Sequence, residues 1–138
     1  MARDAIDVYV LMIDTYPQSK YVEDAREKMK LAIDQLAGKE MSVGRYYLGN
    51  GQYTAAINRF RVVIEKFQTT THIEEALYRL VEANLKLGLL AEAQSAAAVL
   101  GHNSPSSELY QKGFDLLQQH GGAPKLLEGD WLSQTVTG

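Results

Sequence analysis

The 138 residues are 46% apolar and 22% charged with only 11 Gly and 3 Pro, a globular composition that excludes disordered, collagen-like and low-complexity chains. Fourteen Lys and Arg against seventeen Asp and Glu leave a net charge of −3, so nothing global draws the chain to nucleic acid or to anionic lipid. There is no cysteine for a disulfide, a thiolate metal site or a thiol nucleophile, and no apolar run nears the roughly 20 residues of a membrane span.

Apolar residues recur at spacings of three and four, which predicts an all-α chain with helices at 3–16, 20–49, 52–67, 72–87, 90–101 and 106–119. The start, Met1-Ala2-Arg3-Asp4, lacks the basic-then-apolar pattern of a signal peptide. Ile6, Val8, Tyr9, Val10, Leu11, Met12 and Ile13 make the first helix apolar nearly all round, the mark of burial on several sides. Pro17 follows it as a residue that cannot continue a helix. Ser19 then precedes a first turn holding Glu23 and Asp24. Val22, Ala25, Met29, Ile33, Leu36, Val43 and Tyr47 keep one phase across Gly38, which predicts a single helix of about 30 residues, bent near that glycine. A mid-helix Gly costs only about 1 kcal/mol against Ala, which a long packed helix absorbs. Gly51, Gly88 and Gly101 sit where helices should stop, and Thr71-His72-Ile73-Glu74 reads as a capping box. Pro105, with Ser104, Ser106 and Ser107, separates the last two helices and offers caps for the second.

Two of these helix pairs repeat each other. Gly51-x-Tyr53-x-x-Ala56-x-x-x-Phe60-x-x-Val63 has the spacing that opens the second helix of a tetratricopeptide repeat, with Val43, Gly44 and Tyr47 at matching places on the first. Thirty-seven residues on, Leu80, Gly88, Leu90, Ala93, Ala97, Leu100 and Pro105 restate the frame, the extra residues falling in the loop from Gln68 to Thr71. Ala5, Tyr9, Met12 and Pro17 fit the second half of an earlier unit. Ala56 and Ala93 let paired helices approach closely, and Gly44 is expected to be the facing hole in the first unit. The register predicts a right-handed α-solenoid: residues 1–120 as a half repeat, two complete repeats and a final helix, then a tail at 121–138. It also predicts that the chain is the back part of a longer array, divided between the two helices of one repeat.

The stretch Tyr16-Pro17-x-Ser19-x-Tyr21-x-x-Asp24-Ala25, then Leu36-Ala37-x-x-Glu40-x-x-Val43-x-x-Tyr46-Tyr47, resembles the BamD family of tetratricopeptide lipoproteins of the outer-membrane β-barrel assembly machinery. Ala55-Ala56-Ile57-Asn58-Arg59, Glu74-Glu75-Ala76-Leu77 and Val81-Glu82-Ala83 carry the likeness onward. It covers about residues 3–120, equivalent to the C-terminal half of the family's array, and Gly129-Asp130-Trp131-Leu132-Ser133 resembles an extension of some members. The resemblance implies a scaffold at the periplasmic face of the outer membrane, lipid-anchored in the full-length protein, while this piece lacks the family's signal peptide and acylated cysteine. It implies docking of the periplasmic POTRA region of BamA through the C-terminal repeats, with the smaller lipoprotein subunits as further partners. No nucleic acid and no membrane span are implied. The competing class is another tetratricopeptide scaffold, a cell-envelope coordinator or a cochaperone.

No catalytic constellation emerges, so the chain reads as a non-enzyme that needs no cofactor. His72, His102 and His120 stand in no metal-ligand spacing, no Gly-x-Ser-x-Gly elbow surrounds the serines, and Gly49-Asn50-Gly51 lacks the Lys-Ser/Thr of a phosphate loop. Two surfaces remain. First helices of such arrays line a concave face, here Gly38, Met41, Arg45, Leu48 and Gly49, then Glu75, Tyr78, Glu82, Leu85 and Lys86. Cochaperone repeats use Lys and Asn there as a carboxylate clamp, a set absent from this chain. The second surface is Arg59, Arg61 and Lys66 on the second helix of the first complete unit, away from Ala56 and Phe60. Arg59 is the leading docking candidate, with Arg61 and Tyr46 in support, because arginine's planar fork pairs with partner carboxylates. The bland reading is a solvated helix face laced by Arg61 and Glu65. Glu40 takes a site normally apolar, so it is expected to pair with a base such as Arg59. Tyr47 is expected in the core and Tyr46 outside it. Leu126, Leu127, Trp131 and Leu132 are too apolar to stay in water, and are expected on the last helix or on another chain; Trp131 and Leu132 are the tail's contact candidates.

Overall fold

A computed structural model describes residues 2–15 and 21–137, and every described element is helical. The order is α1 (Ala2–Thr15), α2 (Val22–Gly49), α3 (Tyr53–Lys66), α4 (Ile73–Lys86), α5 (Leu90–Asn103), α6 (Glu108–Gln119) and α7 (Ser133–Thr137). Each of α1 to α5 packs on the next helix in the chain, α4 also packs on α6, and α5 carries both α6 and α7. This is the neighbour-on-neighbour stacking of an α-solenoid.

The 28-residue α2 runs unbroken through Gly38, which lies beneath His72. Its apolar phase is what holds it together: Val22, Ala25, Ala32, Ala37, Met41 and Gly44 are all buried along one side. The helix ends repeat more regularly than the sequence reading anticipated. At Gly51, Gly88 and Gly121 the backbone takes φ of +77°, +76° and +78°. Each follows a helix whose close is tied by a long backbone bond, Gln52 N–H to Tyr47 O at 2.9 Å, Leu89 to Asn84 at 2.8 Å and Gly122 to Leu117 at 2.9 Å. Only Gly takes this left-handed turn without a Cβ penalty. The same closure therefore ends α2, α4 and α6.

Gly101 is a correction. It lies inside α5, two residues before the helix ends, and serves as a hole for Tyr110: a Cβ built there would stand 2.5 Å from the Tyr110 ring. Gly44 is the facing hole expected of it, and the Phe60 ring fills it. The capping box at Thr71 does not form. His72 takes the cap position of α4 with no side-chain cap bond, and Thr71 turns toward α2 instead. Of the three serines, Ser107 caps α6 by accepting from the Leu109 N–H at 3.1 Å, while its hydroxyl donates to Glu74 at 3.1 Å. Ser19 and Pro17 lie outside the described residues. The first helix differs from expectation too. Val8, Val10 and Leu11 are 62%, 42% and 67% exposed, because among the described residues α1 packs chiefly on α2.

The core is one cluster built from α2 to α6, with Phe60, Met41, Ile64, Leu77, Leu80, Leu100 and Leu117 fully buried. Leu132 of the tail joins it. The tail therefore packs, but on α5 rather than on the last long helix. Lys125 N–H donates to Gln94 O at 3.1 Å, and the Gln94 amide returns a bond to Ala123 O at 2.9 Å. Leu126 and Trp131 pack against the core, whereas Leu127 stays 37% exposed.

A clasp between α2 and the α3–α4 loop escaped the sequence reading. The Asp34 carboxylate accepts from the Thr71 N–H at 3.2 Å and the Thr71 hydroxyl at 3.0 Å, and it faces His72 Nε2 at 3.4 Å. The Thr71 N–H foremost, then the Thr71 hydroxyl and the His72 imidazole, hold this carboxyl below its ordinary value against the opposing effect of partial burial. A carboxylate depressed in the folded state stabilises it above the unfolded pKa, and that contribution fades as pH falls through the folded value. Asp34→Ala is therefore expected to lower the denaturant midpoint at pH 7, with the difference from the parent shrinking at acid pH. A difference that grew toward acid would contradict the clasp.

Candidate docking surfaces

The two expected surfaces come out differently. On the first helices, ion pairs run from α2 onto α4. Arg45 reaches Glu75 at 2.9 Å and Ser42 at 3.3 Å, Glu75 takes Arg79 at 3.2 Å, and Arg79 binds Glu82 at 2.7 Å. The Arg79 guanidinium also lies 5.7 Å from the Tyr78 ring centre. Burial first, then the charge of Glu82, pushes the Tyr78 phenol above its ordinary value. This face is largely self-neutralised, and most of its charge is already spent within the chain. Lys86 is exposed at the end of α4, and Leu48 is half-buried against the core. Met41 has to be withdrawn as a lining residue, since it is fully buried between α2 and its neighbours. Arg79 was not singled out from the sequence. Its spacing of four from Glu75 and three from Glu82 was the available signal.

The second surface is a groove between α2 and α3. Leu36, Lys39, Glu40 and Val43 form one wall, Arg59, Val62, Lys66 and Phe67 the other, around about 450 Å³. A neighbouring hollow of about 330 Å³ over Tyr47, Ala55 and Asn58 shares Arg59 and Val62 with it. Glu40 on the α3-facing side of α2 makes the two helices meet there through an ion pair. Arg59 Nη1 lies 3.1 Å from Glu40 Oε2, as expected from the sequence, with the two side chains 43% and 26% exposed. The hydrogen bond to Glu40 first, and its charge second, raise the affinity of Arg59 for its proton. Lys39 and Lys66 make no ion pair among the described residues, so three cations face one carboxylate over a floor of Leu36, Val43 and Val62. Such a groove suits a surface that presents carboxylates beside apolar side chains. Tyr46 is 68% exposed one turn beyond Val43, its ring edge-on to the half-buried Tyr47 with centres 6.0 Å apart.

Arg61 does not belong to this groove. Residues two apart on a helix point to different sides, and Arg61 turns to Glu65 at 2.6 Å and lies 4.6 Å from the Trp131 ring centre. The cationic set on α3 is thus divided: Arg59 and Lys66 line the groove, and Arg61 receives the tail. No group of three His, Asp or Glu able to hold a metal ion occurs among the described residues, and none of the described helices is long and apolar enough to cross a membrane.

Comparison with known proteins adds the family. Residues 1–100 match the family described as YfiO, outer membrane lipoprotein. A protein of Caulobacter vibrioides named outer membrane protein assembly factor BamD is 51% identical over 113 residues, covering 82% of this chain and 37% of its own length. Its namesakes in Rickettsia prowazekii and Neisseria meningitidis serogroup A are 46% and 40% identical over 114 and 105 residues, covering 83% and 76% of this chain. The chain spans 45% and 39% of those two relatives, under half of each.

Proposed function

The chain belongs to the YfiO family of outer membrane lipoproteins, and on that premise we propose that it is a non-catalytic scaffold of outer-membrane protein assembly that docks the periplasmic POTRA region of BamA. The α2–α3 groove is the docking site. One observation carries this reading: three cations, Lys39, Arg59 and Lys66, surround a single carboxylate over an apolar floor. The ion-paired face of α2 and α4 offers much less unspent charge to a partner. Arg59 is the central contact, Tyr46 and Val43 supply apolar area beside it, and Glu40 is only the guanidinium's partner within the chain. Charge pairing of this kind sets the register of a protein interface and speeds encounter more than it adds raw affinity. The smaller lipoprotein subunits are further partners in the same reading, and the full-length protein sits lipid-anchored at the periplasmic face of the outer membrane.

The test is a calorimetric titration of this chain with the purified POTRA region. We expect saturable binding that weakens as salt rises, because exposed charges are screened over about 10 Å at 0.1 M salt. Absence of binding, with the chain folded, would turn the reading toward a different tetratricopeptide scaffold.

A further inference from the structure

Helix α5 lacks the polar outer face of its neighbours. Ala93, Ser95, Ala96, Ala97, Val99 and Leu100 are all buried, along one broad side of the helix, while Ala91 and His102 on the other side are exposed. α4 and α6 both pack on this helix. A further strip of it, at Gln94 and Ser95, is covered by the chain's own tail. Among the described residues no second long helix follows α6 after the turn at Gly121. The backbone runs along α5 in a non-helical path, and only the short α7 closes it.

The contacts are of a kind that reads main chain. Gln94 grips the tail backbone from both its carbonyl and its side-chain amide, and the Leu127 N–H donates to Ser95 Oγ at 3.2 Å. Ser95 is fully buried in mid-helix, and the tail's N–H is what answers its hydroxyl. Side-chain anchoring comes from Leu126 along the way and from the far end, where Leu132 enters the core and Trp131 packs on Arg61. The seat is imperfect, because Asp130 Oδ2 is buried with no hydrogen-bond partner. Most of the core is built from α2 to α6 and does not pass through the tail.

We propose that the outer face of α5, with Arg61 of α3, is an acceptor groove for a non-helical, tryptophan-bearing peptide segment, and that residues 123–132 fill it as a removable strap. Backbone-directed bonds give such a groove tolerance of sequence, while the Trp pocket on Arg61 gives it selectivity. A partner segment of the same chemistry competes with the strap for the groove. This site is separate from the α2–α3 groove, and the proposal does not depend on POTRA docking.

Two measurements test it. In the full chain, hydrogen exchange of the Lys125 and Leu127 amides should pass through a local opening, running at least about tenfold faster than at Ala96 and Ala97 inside α5. Exchange of both tail amides only at the global unfolding rate would overturn the strap. A labelled peptide of residues 123–137 should bind a chain ended at Gly122, bind the full chain at least about tenfold more weakly, and lose affinity when its tryptophan is replaced, Trp131→Ala. A shortened chain that keeps its helicity yet ignores the peptide, or one that unfolds, would show the tail to be a fixed part of the fold.

Discussion

Phe60→Ala is expected to cost about 3–5 kcal/mol of folding stability, the range for emptying a buried aromatic site. That is a large share of the roughly 5–15 kcal/mol that holds a domain of this size together. Phe60 is fully buried, and its ring occupies the notch left by Gly44 on α2. Truncation therefore removes the ring and leaves a notch on the facing helix that no other side chain can enter without backbone movement. The melting temperature should fall by about 10–20 °C. The complementary change separates fit from burial. Gly44→Ala would gain about 1 kcal/mol of helix propensity. Its Cβ would stand 2.5 Å from Phe60 Cε1, and a buried ring in a full core has no free direction to move. Overpacking costs typically 1–3 kcal/mol, so the net sign is destabilising. In a Phe60→Leu background the same Gly44→Ala change should turn neutral or favourable. If Gly44→Ala were equally harmful in both backgrounds, ring fit would not be the reason for the glycine.

The parts of this fold that could be read along the chain are those that local periodicity controls. Val22 and Ala25 of the expected phase are buried while Val43 stays exposed, and α2 continues through Gly38 because packing on Ala37, Met41 and Gly44 outweighs the propensity of one glycine. The spacing of Gly51 and Gly88 marked two helix ends because positive φ leaves glycine as the natural occupant. Gly101 was misread for the mirror reason. A glycine that makes room for Tyr110 looks the same in sequence as one that ends a helix. The Arg59–Glu40 pair was legible because a carboxylate at an apolar position calls for a cation on the facing helix. Arg61 was grouped with Arg59 by proximity in sequence, which a helix does not respect. Met41 was placed on the surface because a register identifies a side of a helix without saying how far the neighbours wrap round it. The Asp34–Thr71 clasp and the tail's seat on α5 join residues some 30 positions or more apart, and no local pattern encodes them.

The α2–α3 groove makes its strongest prediction at Arg59. Removing one partner of an interfacial charge pair leaves the other buried and unpaired, and reversing the sign adds repulsion. Arg59→Glu also sets two carboxylates against each other across the groove, since Glu40 stays in place. Both side chains are partly exposed, so water and a rotation of the new side chain should absorb most of that strain within the fold. Binding should therefore suffer far more than stability. Glu40→Gln separates the two roles: it removes the intramolecular partner, leaves Arg59 in the groove, and should keep POTRA binding near the parent level.

The measurement that bears most directly on this account is the dissociation constant of the BamA POTRA region for the parent chain, Arg59→Glu and Lys86→Glu, taken side by side with helicity and melting temperature. We expect Arg59→Glu to bind at least about tenfold more weakly with its fold retained, while Lys86→Glu, on the far end of α4, binds nearly as the parent does. Equal losses in both variants, or unchanged binding in Arg59→Glu, would contradict docking through the α2–α3 groove.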